Sequence, residues 1–222
     1  MARVANESPD AVLVIGLGRF GSAIAVTLDK LGRDVLAVES DPDLAQQWSH
    51  RFRVVEADAR SSEALHQLGA QDFQIAVVGV GTSLEASVLI TANLVDMGMR
   101  EIWAKATSRE HGTILRRIGA NHVVYPEYDA GQRVAHMVSG KMLDYIEMED
   151  QFTIVKMLPP KDMIGFTLDQ SRVRERFGVT VIGVKSHGQP FEYARPETLV
   201  SSGDTLIVSG EPALLESFAN RL

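Results

Sequence analysis

Ala11-Val12-Leu13-Val14-Ile15-Gly16-Leu17-Gly18-Arg19-Phe20-Gly21 is the stretch whose reading decides the fold. A short apolar strand candidate runs into G-x-G-x-x-G, and a helix-like segment follows. Each glycine has a mechanical reason to be there. Gly16 permits the tight turn, Gly18 lets backbone approach a pyrophosphate, and Gly21 lets the helix sit close to the strand. The amides that open the helix then face the phosphates, assisted by the helix dipole. Glu39 ends the next strand candidate, 18 positions past Gly21. A carboxylate at that spacing accepts from ribose hydroxyls and repels a 2′-phosphate, which disfavours NADP.

Working outward, short β-branched runs alternate with helical segments. Strands are predicted at Ala11–Ile15, Asp34–Glu39, Arg53–Ala57, Gln74–Gly79, Glu101–Ala106 and His122–Tyr125. Asp41-Pro42 reads as a helix cap followed by proline at the first helical position. Gly32 and Gly98 read as helix stops. Six strands alternating with five helices imply right-handed βαβ units and a doubly wound parallel sheet of the Rossmann kind, over residues 1–130. Gly131–Ile146 is predicted to be one helix, a crossover that with its polar junction occupies 131–149. A small α+β domain over 150–222 follows: strand Gln151–Leu158, helix Thr167–Arg176, strands Val179–Ser186 and Asp204–Val208, and helix Pro212–Arg221. That domain is small enough for dimerisation to be expected.

Composition narrows the function. The chain has 222 residues, 45% of them apolar, and a net charge of −7. Neither the first two-thirds nor the remainder is basic, so nucleic acid is not an expected partner. No cysteine is present, which removes disulfides, thiolate metal sites and thiol nucleophiles. No apolar run approaches the ~18 residues of a membrane span, and the polar start is no signal peptide. A soluble cytoplasmic protein is the expectation.

Four further side chains fall at the carboxyl edge of the predicted sheet or in its glycine loop. Arg19 can reach a terminal phosphate in a bidentate contact, or pair with a neighbouring carboxylate. Asp58 follows the third strand, where it accepts from an adenine amino group or caps the next helix. Lys105 ends the fifth strand, and Glu127 follows the sixth. Catalytic equipment is missing: no histidine pair at metal-ligand spacing, no G-x-S-x-G elbow, and no Walker lysine. A dehydrogenase needs an acid or base near the nicotinamide, and the final 75 or so residues offer no convincing one. The nucleotide is expected to be a signal here and the protein not an enzyme.

Val14-Ile15-Gly16-Leu17-Gly18-Arg19-Phe20-Gly21, Val35-Leu36-Ala37-Val38-Glu39, Ala57-Asp58-Ala59, Ile102-Trp103-Ala104-Lys105-Ala106, Ile118-Gly119-Ala120-Asn121 and Tyr125-Pro126-Glu127 resemble the RCK family, regulators of potassium conductance. Val173-Arg174-Glu175-Arg176-Phe177-Gly178-Val179-Thr180-Val181, and Arg195-Pro196 ahead of Gly203-Asp204, resemble its C-domain. The likeness covers the whole chain and is strongest to cytosolic gating subunits of Ktr/Trk-type potassium uptake systems. It implies dimers assembled into an octameric ring beneath a membrane ion-translocating subunit, gated by exchange of ATP and ADP. NAD or NADH is the alternative ligand. By resemblance, Gly16, Gly18, Phe20 and Gly21 form the phosphate loop, Arg19 approaches the terminal phosphate and Glu39 takes the ribose. Asp58 lies near the adenine, Lys105 lines the pocket, and Glu127 sits where Mg2+ or another divalent cation joins the γ-phosphate. Arg60 stands where the family usually has threonine. In relatives the C-domain dimer binds cyclic di-AMP; Arg174 and Pro196 match that site, while Thr180 and Gln189 depart from it.

Overall fold

The computed structural model describes residues 10–138, 142–148 and 152–221. The chain divides into two compact units, Met1–Glu127 and Tyr128–Leu222. In the first, β1 (Val12–Ile15), β2 (Val35–Glu39), β3 (Arg53–Glu56), β4 (Ile75–Val78), β5 (Glu101–Lys105) and β6 (His122–Val124) each fall within a predicted segment. They form one parallel sheet in the order β3-β2-β1-β4-β5-β6. Alternate residues of β1 and β2 serve opposite faces. Leu13 and Ile15 join Leu36 and Val38 in one core, whereas Val12 and Val14 join Val35 and Ala37 in the other.

The helices α1 (Arg19–Lys30), α2 (Pro42–Trp48), α3 (Ser62–Leu68), α4 (Leu84–Asp96) and α5 (Arg109–Ile118) connect these strands. Ala25, Leu28 and Trp48 of α1 and α2 pack on the Val14 face. Leu65, Leu94 and Leu115 of α3, α4 and α5 pack on the Leu13 face. The sheet is thus covered on both sides and its order reverses between β1 and β4, the crevice where open α/β sheets bind ligands. Side chains cap four of the helices. Asp41 accepts from the amides of Asp43 and Leu44, with Pro42 beside it, and Ser61, Ser83 and Ser108 cap α3, α4 and α5.

The second unit contains most of α6 (Pro126–Val138), then β7 (Met142–Glu147), β8 (Thr153–Met157), α7 (Leu168–Ser171), α8 (Val173–Phe177), β9 (Thr180–Lys185), β10 (Glu192–Tyr193), β11 (Thr205–Gly210) and α9 (Pro212–Ala219). Its antiparallel sheet has the order β10-β9-β11-β8-β7 and packs Val155, Met157, Leu206 and Val208 against Leu215 and Phe218.

Two predicted helices are corrected here. The one expected to run to Ile146 ends at Val138, and Met142–Glu147 pair with β8 instead. The register of that pairing shifts between Met142 and Asp144, so Met142 and Tyr145 are both buried although three residues apart. That spacing imitates a helical face. The helix expected over Thr167–Arg176 is two short ones, separated by Arg172 in the left-handed region at φ 47°.

Candidate nucleotide site

The three loop glycines are glycine for three different reasons. Gly16 has φ +88°, which side-chain-bearing residues rarely adopt, and a Cβ there would lie 3.0 Å from Val80 Cγ2. A Cβ on Gly21 would stand 1.8 Å from the Gly16 carbonyl oxygen, so helix and loop could not both keep their places. Gly18 is different. Its φ of −59° suits any residue, and a Cβ would meet nothing within 4 Å. Among the described residues nothing demands glycine at 18, which is the N-cap at the first turn of α1. That turn has no side-chain cap, and Ser22 N–H to Gly18 O (2.9 Å) is its first ladder bond. The amides of Arg19, Phe20 and Gly21 precede it and lack helical acceptors.

Beside the loop, Gly16, Glu39, Asp58 and Arg60 line a cleft of about 220 Å³ together with Val80, Thr82 and Ser83. Glu39 is 8% exposed. Its Oε2 accepts the Leu17 amide at 2.6 Å, and its Oε1 accepts the amides of Ser40 (2.7 Å) and Asp41 (2.9 Å) and the Ser40 hydroxyl (3.3 Å). Asp58 does not cap α3, which Ser61 does. It is held instead by Arg60, whose Nε and Nη2 donate to its two oxygens at 2.6–3.0 Å and whose amide adds a bond of 3.0 Å. Those bonds keep the Asp58 carboxyl below the usual carboxylate range.

On the other flank, Lys105 Nζ donates to Glu127 Oε1 at 2.7 Å and lies 5.9 Å from the Phe20 ring centre. The Lys105 side chain is only 12% exposed, and Gly81 makes room for it, since a Cβ there would fall 3.1 Å from Nζ. The Lys105 hydrogen bond, with a smaller contribution from the charge of Arg19, holds Glu127 below the usual carboxylate range. The Arg19 side chain itself is exposed. Among the described residues no three His, Asp or Glu side chains are grouped as a metal site. Glu127 is a single carboxylate that already has a cationic partner.

The TrkA-N domain family matches residues 12–126, and the TrkA-C domain family matches residues 152–222. The chain belongs to the TrkA-N/TrkA-C family. Ktr system potassium uptake protein A of Bacillus subtilis (strain 168) is 31% identical over 222 residues, covering 99% of both chains. The crystal structure of the GsuK RCK domain superposes with a TM-score of 0.70 at 19% identity, covering 99% of this chain and 49% of that one. The GsuK channel bound to NAD gives 0.71 at 19%, covering 98% and 40%. The RCK resemblance and the fold class expected from the sequence are both met. The chain spans about half or less of those two structures' chains, and their likeness is one of fold.

In the TrkA-C unit, Arg174 and Pro196 line one cleft of about 410 Å³ with Asp169, Arg172, Thr180 and Arg195. Arg174 Nε donates to Thr180 Oγ1 at 3.1 Å, so Thr180 orients the arginine. In the TrkA-N unit, the β4–α4 loop contributes Val80, Gly81, Thr82 and Ser83 to the two flanks, a contribution the sequence reading missed. The signal was Gly79-Val80-Gly81 at the end of the strand predicted over Gln74–Gly79.

Proposed function

We propose that this protein is a nucleotide-responsive regulatory subunit of a potassium uptake system, with the TrkA-N unit as the receptor for ATP and ADP. The family and the full-length likeness to a Ktr system potassium uptake protein support the potassium assignment. The observation that carries the nucleotide assignment is Gly18. It is the N-cap of a helix with no side-chain cap, a Cβ there would meet nothing within 4 Å, and no packing among the described residues accounts for a glycine.

In this reading Gly16, Gly18, Phe20 and Gly21 present backbone to the phosphates, and the Glu39–Asp58 cleft receives the nucleoside. Arg19, Lys105 and Glu127 surround the phosphate end. ATP and ADP differ by one phosphate, so only groups at that end can make the two ligands favour different states. The Lys105–Glu127 pair is therefore the place for discrimination, with Mg2+ reaching Glu127 only alongside the γ-phosphate. Self-association fits α6, whose side chains include no buried residue and which exposes Tyr128, Val134 and Val138. The proposal includes a ring of eight on the inner face of the membrane, for which the RCK resemblance is the support. No helix among the described residues is long and apolar enough to cross a membrane, which suits a peripheral subunit that acts through a separate ion-translocating partner. The nucleotide acts as a signal and the protein is not an enzyme. The TrkA-C cleft, with Arg174 for a phosphate and Pro196 for an apolar wall, is proposed for cyclic di-AMP.

The deciding experiment is calorimetric titration of nucleotide-stripped protein with ATP, ADP and NADH, each with and without Mg2+. Binding of ATP and ADP, with Mg2+ favouring ATP, is the expected result. Preferential binding of NADH would replace the adenine nucleotide signal by a redox one. A parallel titration with cyclic di-AMP that gives no saturable heat would remove the second site.

A further inference from the structure

Glu39 is assigned to ribose recognition by its position at the end of β2, yet its oxygens are engaged elsewhere. Oε1 meets three donors, the amides of Ser40 and Asp41 and the Ser40 hydroxyl. Oε2 meets the Leu17 amide at 2.6 Å, a short charge-assisted bond from a carboxylate 8% exposed. A carboxylate offers roughly four lone-pair positions, so little is left for two ribose hydroxyls. Asp58 contrasts with it: three of its four bonds come from the exposed side chain of Arg60, which can swing away, whereas three of the four groups on Glu39 are backbone amides.

The Leu17 bond has a consequence for the phosphate loop. Leu17 lies between Gly16 and Gly18, so fixing its N–H toward Glu39 orients the Gly16–Leu17 peptide. Gly16 meanwhile holds φ +88° and sends its own N–H to Val38 O at 2.8 Å. Two bonds thus tie the loop to the end of β2, one to its backbone and one to its last side chain. With that peptide pinned, the turn that leads into the first amides of α1 keeps its course.

We propose that Glu39 is a positioning residue for the phosphate loop, acting through the Leu17 amide, and that it strengthens binding of any polyphosphate whether or not the ligand carries a ribose. This inference rests on the nucleotide-binding reading above. Its test compares ADP, 2′,3′-dideoxy-ADP and inorganic tripolyphosphate as ligands of wild type and Glu39→Gln. Glutamine is isosteric, but its amide nitrogen faces donors wherever it is placed, so the Leu17, Ser40 and Asp41 amides cannot all be satisfied. The expected result is a loss of about tenfold or more for all three ligands alike. The penalty for removing the ribose hydroxyls should be the same in both proteins, since uncoupled effects multiply.

Unchanged tripolyphosphate affinity in Glu39→Gln, or a hydroxyl penalty that disappears in it, would overturn the proposal and return Glu39 to the ribose. If wild type binds none of the ligands, the nucleotide reading itself fails, which is a different result. Glu39→Asp provides a second variant. It keeps the charge but is one methylene short of Leu17, and it should lose tripolyphosphate affinity as the glutamine variant does. A wild-type crystal structure with ADP needs no folded variant at all. The Leu17–Glu39 bond should persist in it, and a Glu39 that has left Leu17 for the ribose would sink the idea.

Discussion

Every residue of β1 and β2 is buried, whereas β8 buries Thr153, Val155 and Met157 and leaves Ile154 and Lys156 more open. The difference follows from what covers each sheet. The parallel sheet has helices on both faces, so its central strands contain no position at which a polar side chain reaches water. The antiparallel sheet packs one principal core, so alternate positions tolerate charge, and a bulge can re-aim a side chain without exposing a second face. One consequence is mechanical. At the glycine loop of the TrkA-N unit strand, loop and helix meet backbone to backbone, whereas α6 in the second unit meets β7 and α9 through side chains.

The sharpest way to break this comparison is to add a methyl group at Gly21 and at Gly18. At Gly21 the added carbon would meet a carbonyl oxygen that cannot move without shifting β1 and Gly79, whose Cβ position is itself 3.2 Å from Gly21 Cα. Gly21→Ala should lower Tm by about 10 °C or more in thermal unfolding monitored by circular dichroism. Gly18→Ala should leave Tm within about 2 °C, because its backbone angles suit alanine and no atom is displaced. It should nevertheless weaken ADP by about tenfold or more in calorimetry, because the methyl group is added at the N-cap where the proposed phosphate site lies. A stable Gly21→Ala, or a Gly18→Ala that binds ADP like wild type, would mean the loop is looser than its backbone contacts indicate.

How much could be read in advance follows from the same contrast. Continuous apolar runs, one fingerprint loop and caps such as Asp41-Pro42 made the six parallel strands legible to within two residues at either end. Glu39, Asp58, Lys105 and Glu127 were placed at the carboxyl edge of the sheet by their positions at strand ends, and Gly16 and Phe20 by the glycine loop. What was not legible was where their polar atoms are engaged. That Glu39 bonds Leu17, 22 residues away, and that Arg60 fills Asp58 depend on side-chain directions that spacing does not encode. In the second unit, Met142 and Tyr145 imitated a helix because the bulge put residues three apart on one face. The two-residue strand β10 is too short to carry a period at all.

A medium-sized effect tests burial rather than backbone. His111 on α5 is 1% exposed; its Nδ1 accepts the Thr107 amide at 3.3 Å, and its Nε2 has no partner among the described residues. Burial pushes its pKa below the usual value of about 6.5. The unfolded chain then takes up a proton that the folded chain refuses. The stability due to neutral His111 is therefore complete above about pH 6.5 and lost as pH falls below it, at up to about 1 kcal/mol per pH unit. Measured from pH 7.5 down to 5, wild-type Tm should fall more steeply than that of His111→Gln. Parallel curves would show that folded His111 takes up a proton as readily as it does in the unfolded chain.

The smallest expected effect concerns the TrkA-C unit, at α6. Arg133 makes a two-bond fork to Asp144 on β7, at 2.6 and 2.8 Å, with both side chains substantially exposed. The arginine holds the Asp144 carboxyl below the usual range, so whatever stability the pair contributes is present above about pH 4 and disappears as pH falls through the lowered value. Solvent and salt screen such a pair, so Arg133→Ala should shift Tm only slightly at pH 7, and less still once pH has fallen through the lowered Asp144 value or in about 1 M salt. The reason to expect so little is that α6 has a second attachment. His136 stacks on Tyr145 with ring centres 3.8 Å apart and lies 3.5 Å from Glu216 of α9, and neither contact depends on Arg133. A large, salt-sensitive loss in Arg133→Ala would instead mean that a helix with no buried side chain is held to its sheet by one exposed ion pair. The side-chain contacts of this unit would then set its stability as firmly as the backbone contacts set that of the glycine loop.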